Sequence, residues 1–172
     1  MPTNIEIKVR VKDFDGLRKR VEELSDAPCV KLDQEDTFFN TPRGRLKLRT
    51  FSTGRGELIH YVREDSATPK RSDYSIAQIS EPALLMSVLE AAWGIRGAVH
   101  KKRSLYNVGN TRIHLDEVDD LGTFAELEVV LKPDQSEEQG RAIAADLMTR
   151  LDLNSAELID VAYIDLLQAR RA

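Results

Sequence analysis

Four segments of this chain alternate apolar with polar or charged residues, and in each the charges gather mainly on one side. In "NIEIKVRV" (4–11), Ile5, Ile7, Val9 and Val11 alternate with Asn4, Glu6, Lys8 and Arg10. In "RLKLRT" (45–50), Leu46 and Leu48 oppose Arg45, Lys47 and Arg49. In "TRIHLDEV" (111–118), Ile113 and Leu115 oppose Arg112, His114 and Asp116, and in "TFAELEVVL" (123–131), Ala125, Leu127, Val129 and Leu131 oppose Glu126 and Glu128. A period of two is the signature of a β-strand, whose side chains point alternately to opposite faces of a sheet. Two folds suit such strands. The charged face can lie in solvent, as in many antiparallel sheets. Alternatively, the sheet can close with its charges inside while helices cover an apolar exterior.

The rest of the chain supplies further strands and the helices. "DFDGLRKRVEEL" (13–24) places Phe14, Leu17, Val21 and Leu24 at helical spacing behind Asp13, a good N-cap. "EPALLMSVLEAAWG" (81–94) has Pro82 in its first turn and Gly94 at its stop, while "SEEQGRAIAADLMTRLDL" (136–153) and "DVAYIDLLQARR" (160–171) complete the predicted helices. Further strands are expected at 34–40, 57–64, 72–80 and 98–108, with a connector at 65–71. "GN" (109–110) and "DDLG" (119–122) are hairpin turns. The reading is one α+β domain over 1–172, with eight candidate strands mostly in antiparallel succession, enough for the sheet to curl and close.

Composition limits what the chain can bind. A net charge of −4 argues against a general surface for nucleic acid polymers, so any basic site is local. The single cysteine, Cys29, excludes an internal disulfide and is expected to be inert. There is no apolar leader and no run long enough to cross a bilayer, so a cytoplasmic protein with no membrane partner is expected.

A dry charged interior would be very costly, so an inward charged face must enclose water, ions and a highly charged ligand. Glu6, Asp116, Glu126 and Glu128 suit a hard divalent cation, and Lys8, Lys47, Arg49, Arg63 and Arg103 suit phosphate oxygens. Acids and bases in one cavity point to a metal with a polyphosphate. His114, on the side of Asp116, is either a proton shuttle or a hydrogen-bonded structural histidine. Trp93 is expected in the core or at a helix contact, Phe38 and Phe39 in strand packing, Tyr61 at a barrel end, and Tyr163 and Leu166 as anchors of the last helix.

The segments "NIEIK", "RLKLR", "YVRE", "KKR" and above all "LDEVDDLGTFAELE" (115–128), in that order, resemble the CYTH superfamily, or triphosphate tunnel metalloenzymes. "AYIDLL" (162–167) is similar to the family's C-terminal element. The resemblance implies an eight-stranded antiparallel barrel forming a charged tunnel flanked by helices. It implies Mg²⁺ or Mn²⁺ as cofactor and a triphosphate as substrate: tripolyphosphate, ATP or thiamine triphosphate. The family's Glu-x-Glu-x-Lys reads Asn4, Glu6, Lys8 here, and its Leu-Arg-x-Arg reads Leu46, Lys47, Leu48, Arg49. By these motifs the expected metal ligands are Glu6, Asp116, Glu126 and Glu128. The expected phosphate-binding residues are Lys8, Lys47, Arg49, Arg63, Lys101 and Arg103, with Glu6, Lys8, Arg63 and Asp116 at the reacting centre. Hydrolysis of inorganic tripolyphosphate needs the fewest parts. Formation of cyclic AMP and pyrophosphate from ATP, thiamine triphosphate hydrolysis and a non-catalytic polyphosphate sensor are the alternatives. Either a monomer or a homodimer suits this reading.

Overall fold

The computed structural model describes residues 2–63, 69–153 and 157–172. Its strands are β1 (Thr3–Arg10), β2 (Val30–Phe39), β3 (Arg45–Phe51), β4 (Gly56–Arg63), β5 (Lys70–Ile79), β6 (Ile95–Val108), β7 (Thr111–Val118) and β8 (Gly122–Val130). Its helices are α1 (Phe14–Leu24), α2 (Pro82–Trp93), α3 (Glu137–Arg150) and α4 (Tyr163–Arg171). Glu64 and most of the expected connector, 65–68, lie outside the described residues. No helix among the described residues is long and apolar enough to cross a membrane.

The strands close into a barrel in the order β1-β5-β4-β3-β2-β6-β7-β8, every neighbouring pair antiparallel. Closure removes every unpaired strand edge. It also forces one face of each strand inward, and on β1, β3, β7 and β8 the inward face is the charged one. The apolar faces of β1, β7 and β8 pack outward in one buried cluster, with Ile5, Ile7, Val9, Ile113, Leu115, Leu127 and Val129 meeting Leu17 and Val21 of α1 and Ala144 and Leu147 of α3. This barrel is therefore inside-out relative to one with an apolar interior: its hydrophobic core lies between wall and helices.

Local chemistry explains where the helices begin. The Asp13 side chain accepts from the Gly16 backbone N–H at 3.0 Å, and Ser136 and Gln139 form a capping box at the start of α3. The end of the barrel near Lys8 is covered by α4. Ala162, Tyr163, Ile164 and Leu167 pack there with Phe38, Val99, Val118 and Phe124 in a second cluster. Gly97 lets α4 approach closely: a Cβ there would stand 2.6 Å from Ile164 Cδ1, and that side chain would have to shift.

One expectation needs correction. Trp93, on the helix 81–94, was expected in the core or at a helix contact. Instead α2 has no buried residue, and Leu84, Val88 and Trp93 are exposed. Its sequence is apolar nearly all round, so composition gives it no preferred buried face. The covering is done by α1, α3 and α4.

Candidate active site

The barrel encloses a cavity of roughly 340 Å³. Of the predicted site residues, Glu6, Lys8, Lys47, Arg49, Arg63, Lys101, Arg103, Glu126 and Glu128 line it. Strand register brings them together. Glu6 stands opposite Glu128 and Lys8 opposite Glu126 across β1 and β8; His114 is opposite Glu126 across β7 and β8; Arg103 is opposite Asp116 across β6 and β7.

The acids each meet a base. Glu6 pairs with Arg63 at 3.3 Å, Glu126 with Lys8 at 3.2 Å and Arg103 at 2.7 Å, and Glu128 with Arg112 at 3.0 Å. Burial opposes ionisation of Glu126 most strongly, but Lys8 and Arg103 outweigh it and hold the carboxyl well below the usual carboxylate range. Glu128 is lowered in the same way, against burial, by His114 and Arg112. Glu6 goes the other way, because burial and the charge of Glu128 raise it.

Asp116 has a different place from the other acids. It is fully buried, outside the cavity lining, and accepts from Arg103 Nε at 2.7 Å, Arg103 Nη2 at 2.6 Å and the Tyr163 hydroxyl at 2.9 Å. This bidentate pair fixes the guanidinium plane in the lumen. Tyr163, expected only as an anchor of the last helix, also lines the cavity, and its ring lies 3.9 Å from Lys8 Nζ.

The opposite wall is organised by Asp36, a residue not singled out in the sequence. Its carboxylate, 2% exposed, accepts from Lys47 Nζ at 2.8 Å and from Arg49 at 2.8 and 3.0 Å, with Lys101 Nζ at 3.5 Å. Burial opposes the charge on Asp36, but Arg49, Lys47 and Lys101 overcome it and hold its pKa well below the usual value. Lys47 is pushed down to about 7, by burial first, with Asp36 resisting and the neighbouring cations assisting. The signal for Asp36 was present: with Gln34 and Phe38 it lies on one parity of β2, the parity that faces inward.

Two kinds of orphaned polar atom mark the interior. Arg63 Nε and Nη2 are buried without hydrogen-bond partners. His114 Nδ1 is also unpartnered, 3.6 Å from Glu126 Oε2 and 3.7 Å from Glu128 Oε1. Burial and Arg103 push the histidine's pKa below its usual value, with both glutamates resisting. Unfilled donors on a cation suit an anion. A nitrogen lone pair beside two ionised carboxylates suits a divalent ion, so the residues present fit the metal that the resemblance implies. Away from α4, the lining turns apolar with Leu32, Phe51, Ile76 and Leu105.

The fold is thus an inside-out barrel, a tunnel with acids and bases converging in its lumen. The chain belongs to the CYTH domain family, whose model matches residues 2–163. It is 27% identical over 168 residues to the adenylate cyclase CyaB of Aeromonas hydrophila, covering 92% of this chain and 85% of that protein. Among solved structures, the PH1012 protein of Pyrococcus horikoshii is 25% identical with a TM-score of 0.84, covering 95% of this chain and 98% of that one. HpAC1 of Hippeastrum is 13% identical with a TM-score of 0.70, covering 99% of this chain and 96% of that one. That structure is described as an adenylyl cyclase with a dominant triphosphatase activity.

Proposed function

We propose that the protein is a divalent-metal-dependent hydrolase of a triphosphate, with inorganic tripolyphosphate as substrate. The observation that carries this reading is the concentration of buried cations around one cavity that also holds carboxylates. Lys8, Lys47, Arg49, Arg63, Lys101 and Arg103 line it with Glu6, Glu126 and Glu128. Tripolyphosphate carries about four to five negative charges near neutral pH, and at an effective dielectric near 20 each cation within about 4 Å contributes roughly 4 kcal/mol before desolvation costs.

Each residue then has a task. Lys47, Arg49 and Lys101 leave Asp36 in part to share their charge with phosphate oxygens, and Arg63 offers its unfilled donors to the same chain. Arg103, fixed through Nε and Nη2 by Asp116, presents its remaining N–H groups to the bond that breaks. Glu126 and Glu128 would hold Mg²⁺ or Mn²⁺, leaving the neighbouring Glu6 to act as base. A bound ion would supply charge neutralisation to the phosphate chain. Glu6, whose carboxyl is raised, accepts a proton from the attacking water. The water oxygen bonds to the terminal phosphorus, the P–O bond to the leaving group breaks, and orthophosphate and pyrophosphate depart.

A second reading is favoured by the apolar lining at Leu32, Phe51, Ile76 and Leu105, which tripolyphosphate does not use, and by the CyaB relative. In it, ATP is the substrate, its base rests on that lining, and the ribose 3′-hydroxyl attacks the α-phosphorus to give cyclic AMP and pyrophosphate. The test offers tripolyphosphate, ATP and thiamine triphosphate separately with Mg²⁺ or Mn²⁺ and measures orthophosphate, pyrophosphate and cyclic AMP. Orthophosphate from tripolyphosphate at the highest kcat/KM supports the first reading. Cyclic AMP as the main product establishes the second, and tight binding without turnover makes the protein a sensor.

A further inference from the structure

We propose that His114 is a metal ligand through Nδ1, and that this nitrogen makes the site prefer Mn²⁺ to Mg²⁺. The assignment rests on the metal-dependent reading above and extends it to a residue and to a choice of ion. His114 Nδ1 and one oxygen each from Glu126 and Glu128 lie within 4.8 Å of one another. The histidine is 5% exposed and its Nδ1 has no hydrogen-bond partner.

The distances favour ligation over a structural contact. Nδ1 stands 3.6 and 3.7 Å from the two carboxylate oxygens, whereas N–H···O hydrogen bonds cluster near 2.9–3.0 Å. Donor atoms held about 2.1 Å from a common ion are spaced about 3.0–3.4 Å from one another, so a small inward movement completes the set. Glu128 Oε1 is available at once, whereas Glu126 must exchange a base for the ion. Arg112 takes Glu128 Oε2 and leaves Oε1 facing His114, and Lys8 takes Glu126 Oε1. Arg103 Nη2 shares Glu126 Oε2, and that one contact must give way to the ion while Asp116 keeps the guanidinium in place, so ion and triphosphate enter together.

The preference follows from donor chemistry. Mg²⁺ is hard and takes oxygen in near-ideal octahedral geometry, whereas imidazole nitrogen suits first-row transition ions. The strand beside Glu128 adds only one further carboxylate. Glu6 is that carboxyl group, whereas Asn4 is a neutral amide, its Oδ1 buried without a partner. Fewer carboxylates and one nitrogen move the site away from Mg²⁺.

The test is spectroscopic and needs no turnover. Mn²⁺ is added with a bis-methylene triphosphonate, which has no nitrogen and cannot be cleaved, and the complex is examined by electron spin-echo envelope modulation. The protein carries three histidines, and only His114 lines the cavity, so ¹⁵N-histidine labelling identifies the source. The expected result is an imidazole ¹⁴N signal that becomes a ¹⁵N signal on labelling and is lost in His114→Gln. Calorimetry on the same variant should show the Mn²⁺-to-Mg²⁺ affinity ratio falling at least tenfold. Bound Mn²⁺ without nitrogen modulation in the unmutated protein overturns the inference while leaving the metal-dependent function intact. Equal weakening of both ions by the substitution also overturns it. Failure of the unmutated protein to bind Mn²⁺ at all overturns both the inference and the function.

Discussion

On the wall formed by β1, β7 and β8, each carboxylate that faces the cavity has its own base: Glu6 has Arg63, Glu126 has Lys8 and Arg103, Glu128 has Arg112. On the facing wall of β2, β3 and β6, one carboxylate, Asp36, serves Lys47, Arg49 and Lys101. The first wall is nearly neutral and is ready to exchange its bases for a cation. The second carries a surplus of positive charge that its single acid cannot match, and an anion completes it. Thus one cavity divides the labour of binding a metal and a phosphate chain between two kinds of ion-pair network.

The sharpest way to break this contrast is Asp36→Asn. Removing the acid leaves three buried cations without their common partner, and breaking a buried ion pair costs about 3–5 kcal/mol. Denaturant unfolding should show that loss, and added tripolyphosphate should raise the Tm of the variant by more than it raises that of the unmutated protein. Unchanged stability would remove Asp36 as the organiser of its wall. On the acidic wall, Glu128→Gln keeps the shape but removes a metal-binding charge. Turnover with Mg²⁺ or Mn²⁺ should fall about 10²-fold or more, a loss of roughly 2.7 kcal/mol in transition-state stabilisation. Steady-state kinetics at saturating substrate would read it.

Arg49→Ala should act mainly on substrate capture, raising KM about tenfold with a smaller change in kcat. A fall in kcat alone would place Arg49 at the reacting bond. Lys47 gives a pH signature. Its pKa of about 7 in the empty tunnel means that it is mostly uncharged at pH 8. A bound polyanion favours the ammonium form, so binding of tripolyphosphate at pH 8 should take up a proton, and this uptake should disappear in Lys47→Arg. Calorimetry in two buffers of different ionisation enthalpy measures it. Asn4→Glu should have the smallest effect, strengthening divalent-ion binding a few-fold by adding a carboxylate beside Glu6.

How much of this could be read from the chain depended on the length of each pattern. β7 falls at its expected 111–118, because three charges alternate with apolar residues and turns bound it on both sides. The two walls were visible as parities: Glu126 and Glu128 on one strand, Lys47 and Arg49 on another. β2 was expected to begin at 34 and begins at Val30, although Val30 and Leu32 continue the inward parity of Gln34 and Asp36. The adjacent Glu35 and the Phe38-Phe39 pair hid that alternation, and with it Asp36. Asp116 shows a different limit. Its parity is that of the lumen, but the Arg103 side chain covers it, and period two cannot tell a side chain in the cavity from one beneath it. Trp93 failed as a core residue because α2, apolar nearly all round, gives periodicity nothing to orient.

The division of labour is tested most directly by crystals grown with Mn²⁺ and a bis-methylene triphosphonate, with the ion located by its anomalous scattering. The account predicts a single strong peak between Glu126, Glu128 and His114, with the phosphonate oxygens on Lys47, Arg49 and Arg103 inside the barrel. Manganese outside the lumen, or a phosphonate chain bound away from the Asp36 wall, would contradict it.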